Sequence, residues 1–312
     1  APAASISAYL DLPNGLVSAQ PSISVEAWAT PVSSKAYQRL FDFGRTNTTS
    51  GTGAAAGEII DGPTAPGNFA GYDNLVLSLN VAGNLGTHRL EGQINNGAAI
   101  FTDSTAATTA GTQYHYVLTV TDGAGTYGAA GCQAKWYRNG VLQNSLDLAF
   151  HLTAMADVNN WIGRSQYGAD SNSNLSLNEL RIYNRAINAG EILSSYAAGP
   201  DPSVGPPEPL PPVPVPENRW SFNGAAGSVT NGTAFTDMGT GEIATVRGNG
   251  ATTTGSTLVL PGTTTGNATA AARSSRARTA ALIFMFTRSV ATAPPRCGGR
   301  HPPPATSRRT GG

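Results

Sequence analysis

The segment over residues 170–174 has a spacing that is typical of a cation-binding loop. Asp170, Asn172 and Asn174 stand at alternate positions, with serines between them. Carboxylate and amide oxygens suit a hard cation, so Ca²⁺ is the candidate ligand of these residues. The segment offers only one carboxylate, and a turn in which Asp and Asn bond to their own backbone accounts for the same residues. Two interpretations therefore stay open, a turn and a Ca²⁺ loop, and no other cofactor is indicated.

Catalytic carboxylates would have a different signature. Two acids at alternate positions of one strand face the same groove, which suits glycoside hydrolysis. The sequence contains no E-x-D-x-E or E-x-D-x-x-E pattern, and Glu26 and Glu179 each lack an acidic neighbour two positions away. His88, His115 and His151 lie in separate segments, and there is no G-x-S-x-G motif of a serine hydrolase. The sequence therefore predicts no catalytic site.

Aromatic side chains are the remaining candidates for ligand contact, because binding pockets are commonly lined by exposed rings. Tyr72, Tyr127 and Tyr167 lie in glycine-rich stretches that are typical of loops. They are the predicted ligand-binding residues. Trp28 and Trp161 lie in strand-like runs instead, and we expect both to pack in the core.

Composition excludes several classes of protein. The 312 residues contain 19 Lys and Arg and 19 Asp and Glu, so no overall basic character attracts nucleic acid. The longest apolar run, over 280–286, is too short for membrane insertion. The charge is unevenly distributed: residues 1–200 hold 9 basic and 14 acidic residues, whereas 268–312 hold eight Arg and no acid. The two ends of the chain therefore need separate explanations.

Strand signals dominate the first 200 residues, and a single helix follows them. Asn139-Gly140 separates two strand-like runs and predicts a two-residue hairpin turn. Asn188 and Gly199 bound a short apolar-faced segment, as an N-cap and a C-terminal stop do. Many short strands with one terminal helix favour an all-β antiparallel sandwich. The strand-like runs lie at 23–29, 75–81, 114–121, 135–142 and 177–183.

Five stretches of the chain resemble the LamG-like jelly-roll family of the concanavalin A-like lectin/glucanase superfamily. They are YLDLPNG (9–15), VEAW (25–28), RLFDFG (39–44), NWIGRS (160–165) and LRIYNRA (180–186). The resemblance implies a concanavalin A-like antiparallel jelly-roll sandwich. It also implies a noncatalytic carbohydrate-binding or adhesion module of a bacterial secreted or cell-surface protein, with a glycan or polysaccharide as partner. A structural spacer in a large surface protein and a glycoside hydrolase of the same superfamily are the alternatives.

The same resemblance divides the chain. Residues 1–199 form the predicted LamG-like domain, whose N-terminal strands we expect to be missing; a start just after signal cleavage is the alternative. Residues 200–216 are a linker, half of them proline, which favours an extended spacer. Residues 217–267 contain RWSFN and LVLPG and resemble the start of a second, incomplete copy. Residues 268–312 are predicted to be a disordered Arg/Pro-rich tail. The tail is either the product of a frameshift or a genuine basic tail. We expect the chain to be part of a larger multidomain protein.

Overall fold

The computed structural model describes residues 8–33, 35–60, 69–81, 84–200 and 216–262. In these ranges the chain forms seventeen strands and one α-helix, α1 (Ala189–Ala198). The first eleven strands are β1 (Tyr9–Leu12), β2 (Ile23–Pro31), β3 (Arg39–Thr46), β4 (Gly71–Val81), β5 (Asn84–Gln93), β6 (Ile100–Thr105), β7 (Tyr114–Asp122), β8 (Cys132–Arg138), β9 (Val141–Leu148), β10 (Asn159–Ile162) and β11 (Asn174–Tyr183). The last six are β12 (Asn218–Ser221), β13 (Gly227–Val229), β14 (Ala234–Thr236), β15 (Ile243–Arg247), β16 (Ala251–Thr253) and β17 (Leu258–Pro261).

These strands form two sheets. The eight-stranded sheet has the order β14-β15-β1-β10-β3-β4-β5-β6. The nine-stranded sheet has the order β13-β16-β17-β11-β2-β7-β8-β9, and β12 also pairs with β11. Neighbouring strands pair antiparallel throughout both sheets. The predicted all-β antiparallel sandwich is confirmed, and in the described part of the chain no helix is long and apolar enough to cross a membrane.

One hydrophobic core lies between the sheets. Leu75, Leu77 and Leu79 of β4 point into it, as do Val25 and Leu118 of the other sheet. Each such side chain gains about 1.5–3 kcal/mol on full burial. Because successive strand residues point to opposite faces, each sheet also has an outer face that turns away from this core. The outer faces carry most of the buried polar groups described below.

Two local predictions are confirmed, the hairpin turn and the helix cap. Asn139 and Gly140 both have positive φ, 51° and 78°, which makes the two-residue hairpin turn between β8 and β9. Helix α1 begins with a complete capping box, because Asn188 Oδ1 accepts from two backbone N–H groups and Glu191 accepts from the Asn188 N–H. Cys132 is a buried free thiol; Cys297 lies outside the described residues.

The strands over 218–261 belong to the same two sheets. β12 and β17 pair with β11, and β15 pairs with β1. Trp220, Phe222 and Leu260 are fully buried in the common core. The assignment of 217–267 to the start of a second copy stays a prediction, but its described part lies within this sandwich. Most of the linker and the whole predicted tail lie outside the described residues.

Candidate functional site

A row of paired residues crosses the outer face of the eight-stranded sheet. Each residue lies directly opposite the next on neighbouring strands, so all share one face. Three of them are acids, and apolar side chains separate them. The row runs Asp11, Trp161, Asp42, Val76, Glu91 and Phe101 through β1, β10, β3, β4, β5 and β6. We call it the carboxylate row.

The three acids of this row are held where ionisation is unfavourable. Burial raises the pKa of Asp42 to about 7, although the Arg39 charge opposes this. Burial raises the pKa of Asp11 to about 7 as well, against the charge of Arg247. It also raises the pKa of Glu91 above its ordinary value. Perturbed carboxyls gathered on one face are typical of functional sites, although structural networks produce them too.

Arg39 neutralises part of the row. Its Nη2 lies 2.9 Å from Asp170 Oδ2 and its Nε lies 3.4 Å from Asp42 Oδ2. Asp42 Oδ2 also accepts from the backbone N–H of Gln166 at 2.9 Å. The second oxygen, Asp42 Oδ1, is buried and receives no donor from the residues described. One side of this carboxylate is therefore satisfied and the other is not.

The segment over residues 163–173 covers this part of the face. The Tyr167 hydroxyl donates to Gln93 Oε1 at 2.7 Å and accepts from Asn74 Nδ2 at 3.2 Å. A Cβ on Gly71 would lie 3.0 Å from both the Tyr167 ring and Asn74 Nδ2, so the ring packs closely against the backbone here. These contacts fix the segment above β3, β4 and β5.

The row reaches solvent at its β6 edge, where Phe101 lies, whereas Glu91 of β5 is only 7% exposed. Arg89 donates to both carboxylate oxygens of Asp103, at 2.7 and 2.8 Å. Its guanidinium carbon lies 3.8 Å from the centroid of the Phe101 ring, which is 39% exposed. Glu91 Oε2 lies 3.9 Å from Arg89 Nη1, and among the described residues no group donates a hydrogen bond to this carboxylate. We call these four residues the platform: an exposed ring, a fixed guanidinium and two carboxylates.

The outer face of the nine-stranded sheet carries a second polar group, which is closed. Glu26 accepts from His115 Nε2 at 2.6 Å and from the Tyr183 hydroxyl at 2.5 Å. Arg181 lies 3.4 Å from Glu26 and 2.7 Å from Glu179. Although burial opposes ionisation, the His115 hydrogen bond and the Arg181 charge hold the pKa of Glu26 below its ordinary value. Glu26 and Glu179, far apart in the sequence, thus share one cation.

Helix α1 lies over this second group. The Tyr196 ring stacks on His115 with 5.7 Å between ring centroids. Arg181 donates to Ser195 Oγ at 2.9 Å and to the carbonyl of Pro200 at 2.8 Å. Trp28, which we expected in the core, is 4% exposed and packs between His115 and Arg181 on this outer face. Its burial is as predicted, but the ring lies on the outer face and not in the core between the sheets.

Comparison with known families agrees with this architecture. Residues 4–193 match the family model described as the concanavalin A-like lectin/glucanases superfamily. The chain belongs to this superfamily. No curated protein sequence matches the chain.

Several solved structures resemble this concanavalin A-like chain in fold. Domain 4 of AbnA, a GH43 extracellular arabinanase from Geobacillus stearothermophilus, in complex with arabinotriose, is 18% identical, with 60% of this chain and 71% of that chain covered and a TM-score of 0.38. The Ruminococcus gnavus IT-sialidase CBM40 bound to α2,3 sialyllactose is 16% identical, with 62% and 95% covered and a TM-score of 0.41. A heptameric SAP-like pentraxin from Limulus polyphemus is 12% identical, with 64% and 79% covered and a TM-score of 0.38.

The three predicted tyrosines of this concanavalin A-like domain do not form one site. Tyr167 lies over Gly71, beside Tyr72, whose ring carries the Arg45 guanidinium at 4.4 Å. Tyr127 is 43% exposed, next to the short 3₁₀ turn that precedes β8 in the other sheet. Tyr72 lies within strand β4 and not in a loop as predicted. Tyr167 lies over the face that carries the carboxylate row, and Tyr127 lies on the other sheet. Their contact with a ligand stays a prediction.

The predicted Ca²⁺ loop has side chains that bond to different partners. The Asp170 carboxylate accepts from Arg39 and from Ser165 Oγ, both at 2.9 Å. Asn174 begins β11, and its Nδ2 donates to Ser33 Oγ at 2.9 Å. Asn172 is fully buried. No group of three or more His, Cys, Asp or Glu that could hold a metal ion occurs among the residues that the structure describes, and Ca²⁺ binding stays a prediction.

Sequence reasoning missed the platform. A signal was present, because Arg89 and Glu91 alternate with Leu90 along β5, and Phe101 and Asp103 alternate along β6. Period-two alternation of charged with apolar residues indicates a strand with one polar face. Only the pairing of Arg89 with Asp103 and of Glu91 with Phe101 shows that the four side chains meet.

Proposed function

We propose that this chain is a noncatalytic carbohydrate-binding module that holds a glycan or polysaccharide at the platform. The observation that carries the proposal is the exposed Phe101 ring beside the fixed Arg89–Asp103 pair. Membership of a superfamily that includes lectins supports the same reading.

The platform suits the chemistry of a sugar. One face of a pyranose ring is a set of C–H groups that packs on an aromatic ring, and its rim is a set of hydroxyls. Arg89 and the carboxylate of Asp103 hold each other in place, so little side-chain freedom is lost when a ligand binds. Glu91, directly opposite Phe101, is only 7% exposed, so Phe101 and Asp103 supply most of the accessible surface. Fixed polar groups beside an apolar surface are the usual basis of specificity in a binding site.

A matched pair of variants on β6 tests the proposal. Phe101 and Ile100 are neighbours with similar exposure, 39% and 36%, and they point to opposite faces of the strand. A glycan array first identifies a ligand, and titration calorimetry then measures its affinity. We expect F101A to weaken binding at least tenfold, about 1.4 kcal/mol, and I100A to leave it within twofold. Equal effects, or tight binding by F101A, would place the sugar elsewhere.

A glycoside hydrolase is the second candidate, and the carboxylate row favours it. Asp42 and Glu91 lie on strands separated only by β4, so their Cα atoms are about 9–10 Å apart. Inverting hydrolases hold their two carboxyl groups about 6.5–9.5 Å apart, a separation that side chains from two such strands can reach. Asp42, however, has no exposed surface beneath residues 163–173, so a substrate cannot reach it in this conformation. If the native chain releases reducing sugar from a polysaccharide and E91Q does not, the hydrolase is the correct assignment.

We further propose that the module works in a bacterial secreted or cell-surface protein, where it mediates adhesion. A structural spacer is the alternative, and an array on which no glycan binds would favour it. A Ca²⁺ titration completes the assignment, because a cation that binds only the folded state raises the melting temperature. A rise that D170N removes would support a cation site at Asp170, Asn172 and Asn174.

A further inference from the structure

The platform offers a ligand mainly hydrogen-bond acceptors. Two nitrogens of Arg89, Nε and Nη2, donate to the two oxygens of Asp103 at 2.7 and 2.8 Å. The third nitrogen, Nη1, faces Glu91 Oε2 at 3.9 Å, and the Arg89 side chain is only 12% exposed. The Asp103 side chain is 36% exposed, and each of its oxygens keeps a lone pair beyond the bond to Arg89. A ligand beside the Phe101 ring therefore meets carboxylate oxygens more readily than N–H groups.

Glu91 is the unsatisfied member of the platform. The residue is only 7% exposed, yet no group of the described residues donates a hydrogen bond to its carboxylate. Buried carboxylates ordinarily have donors around them. Burial raises the pKa of Glu91, and the charges of Asp170 and Asp103 act in the same direction. The partner that Glu91 lacks is therefore a donor, and a positively charged donor would satisfy it best.

Carboxylates outnumber arginines in this part of the outer face. Two guanidinium groups face four carboxylates, so each cation is shared by two acids. A site with an excess of one sign of charge attracts ligands of the opposite sign and repels those of its own. The shared pairs are Arg39 with Asp42 and Asp170, and Arg89 with Glu91 and Asp103.

We propose that the platform selects its ligand by charge: it binds a sugar that carries a free amino group and rejects a sugar that carries an acid group. This inference rests on the proposed carbohydrate-binding function and names the class of its ligand. The ring of the amino sugar packs on Phe101, and its ammonium group donates to Asp103 beside Glu91. Hydrogen bonds between charged groups are roughly twice as strong as neutral ones. An acid sugar has to compete with both carboxylates for Arg89 and meets their repulsion.

Three pentasaccharides with one backbone test this selection. The β1,4-linked pentamers of glucosamine, glucose and glucuronic acid have the same linkage, and they differ in whether they carry ammonium groups, only hydroxyls, or carboxylates. Titration calorimetry at about pH 7 measures the affinity of the full chain for each pentamer. We expect the glucosamine pentamer to bind about tenfold tighter than the glucose pentamer, and the glucuronic acid pentamer to bind about tenfold weaker. Added salt should reduce both differences, because it screens exposed charges.

D103N is the decisive variant, because it removes the exposed negative charge and releases Arg89. The affinity for the glucosamine pentamer should fall to within about threefold of that for the glucose pentamer. The affinity for the glucuronic acid pentamer should rise about tenfold, because the released guanidinium can pair with a ligand carboxylate. Partial unfolding cannot produce such a gain. The matched control is E217Q, which removes the charge of an exposed acid beside β11 of the other sheet and should leave all three affinities within twofold.

The outcomes separate this inference from the proposed function. Equal affinity for the glucosamine and glucose pentamers, or a preference for glucuronic acid, would overturn selection by charge. If F101A still weakens binding of the glucose pentamer, the proposed function stands all the same. Glucosamine binding that F101A leaves unchanged, or that E217Q weakens as much as D103N does, is attraction to an acidic surface in general and would also overturn the inference. If none of the three pentamers binds, the inference is wrong, and the glycan array tests the proposed function by itself.

Discussion

Buried carboxylates on the two outer faces of the sandwich have pKa values shifted in opposite directions. On the nine-stranded sheet, Glu26 is surrounded by donors and its pKa is lowered. On the eight-stranded sheet, Asp42 keeps one oxygen without a donor and its pKa is raised to about 7. Both faces lie on the same kind of antiparallel sheet. Burial alone therefore does not decide the charge state of an acid; the number of donors placed around it does.

The difference indicates which face is free to bind a ligand. Helix α1 covers the nine-stranded face, and its Ser195 and Tyr196 contact the polar group beneath it. The eight-stranded face has no such cover over the β5–β6 end, where Phe101 and Asp103 remain exposed. A saturated group stabilises the fold, whereas a face with unused acceptors can accept hydrogen bonds from outside.

Replacing the buried arginine of each face should have the largest effect on the free energy of unfolding. The size of the loss should differ between the two faces. R181M removes the cation that Glu26 and Glu179 share, while Arg219 still contacts Glu179. Loss of a buried ion-pair partner costs about 3–5 kcal/mol. R39M leaves Asp42 and Asp170, whose pKa values are already raised and which can bind protons instead. We expect R39M to cost less than R181M at pH 5 in urea unfolding. Equal losses at pH 5 would contradict the comparison.

The pH dependence of stability should differ in sign between the faces. The folded-state pKa of Asp42, about 7, lies above the value near 3.9 of an unfolded chain. The contribution of Asp42 to the free energy of unfolding is therefore complete below pH 4. It falls by up to a few kcal/mol as the pH rises to 7. The pKa of Glu26 is lowered, so its contribution is present above the unfolded value and is lost as pH falls.

Two amide variants measure these contributions. The free energy of unfolding of D42N minus that of the native chain should rise between pH 4 and 7. The same difference for E26Q should fall as pH rises through the acid range and then level off above about pH 5. Urea unfolding at a series of pH values gives both curves. Two curves of the same sign would mean that both carboxylates have the same environment.

The sequence predicted what depends on neighbouring residues. The Asn139-Gly140 turn and the cap at Asn188 were identifiable because each is decided within a few positions. The strand runs were equally local, since their alternation shows in a single segment. The antiparallel sandwich follows from the number and spacing of such runs.

The carboxylate row could not be predicted in the same way. Asp11, Asp42 and Glu91 come together only through the register of six strands, and a shift of one residue in any pair would turn a side chain to the other face. The shared use of Arg181 by Glu26 and Glu179 depends on the pairing of β2 with β11, more than 140 residues apart in sequence. The pairing of the strands over 218–261 depends on the open edges of β1 and β11, which are known only once the sheets are assembled.

The smallest effect that we predict concerns the cover of the closed face. Asn188 Oδ1 accepts from the N–H groups of Gly190 and Glu191 at 2.9 and 3.1 Å. N188A removes this cap and should lower the free energy of unfolding by about 1 kcal/mol, while N188D, which keeps an accepting oxygen, should restore most of it. Since α1 covers only the nine-stranded face, N188A should leave glycan affinity at the platform unchanged. A parallel loss of stability and of affinity would show that the two faces are coupled, and the division between a closed face and an open one would then fail.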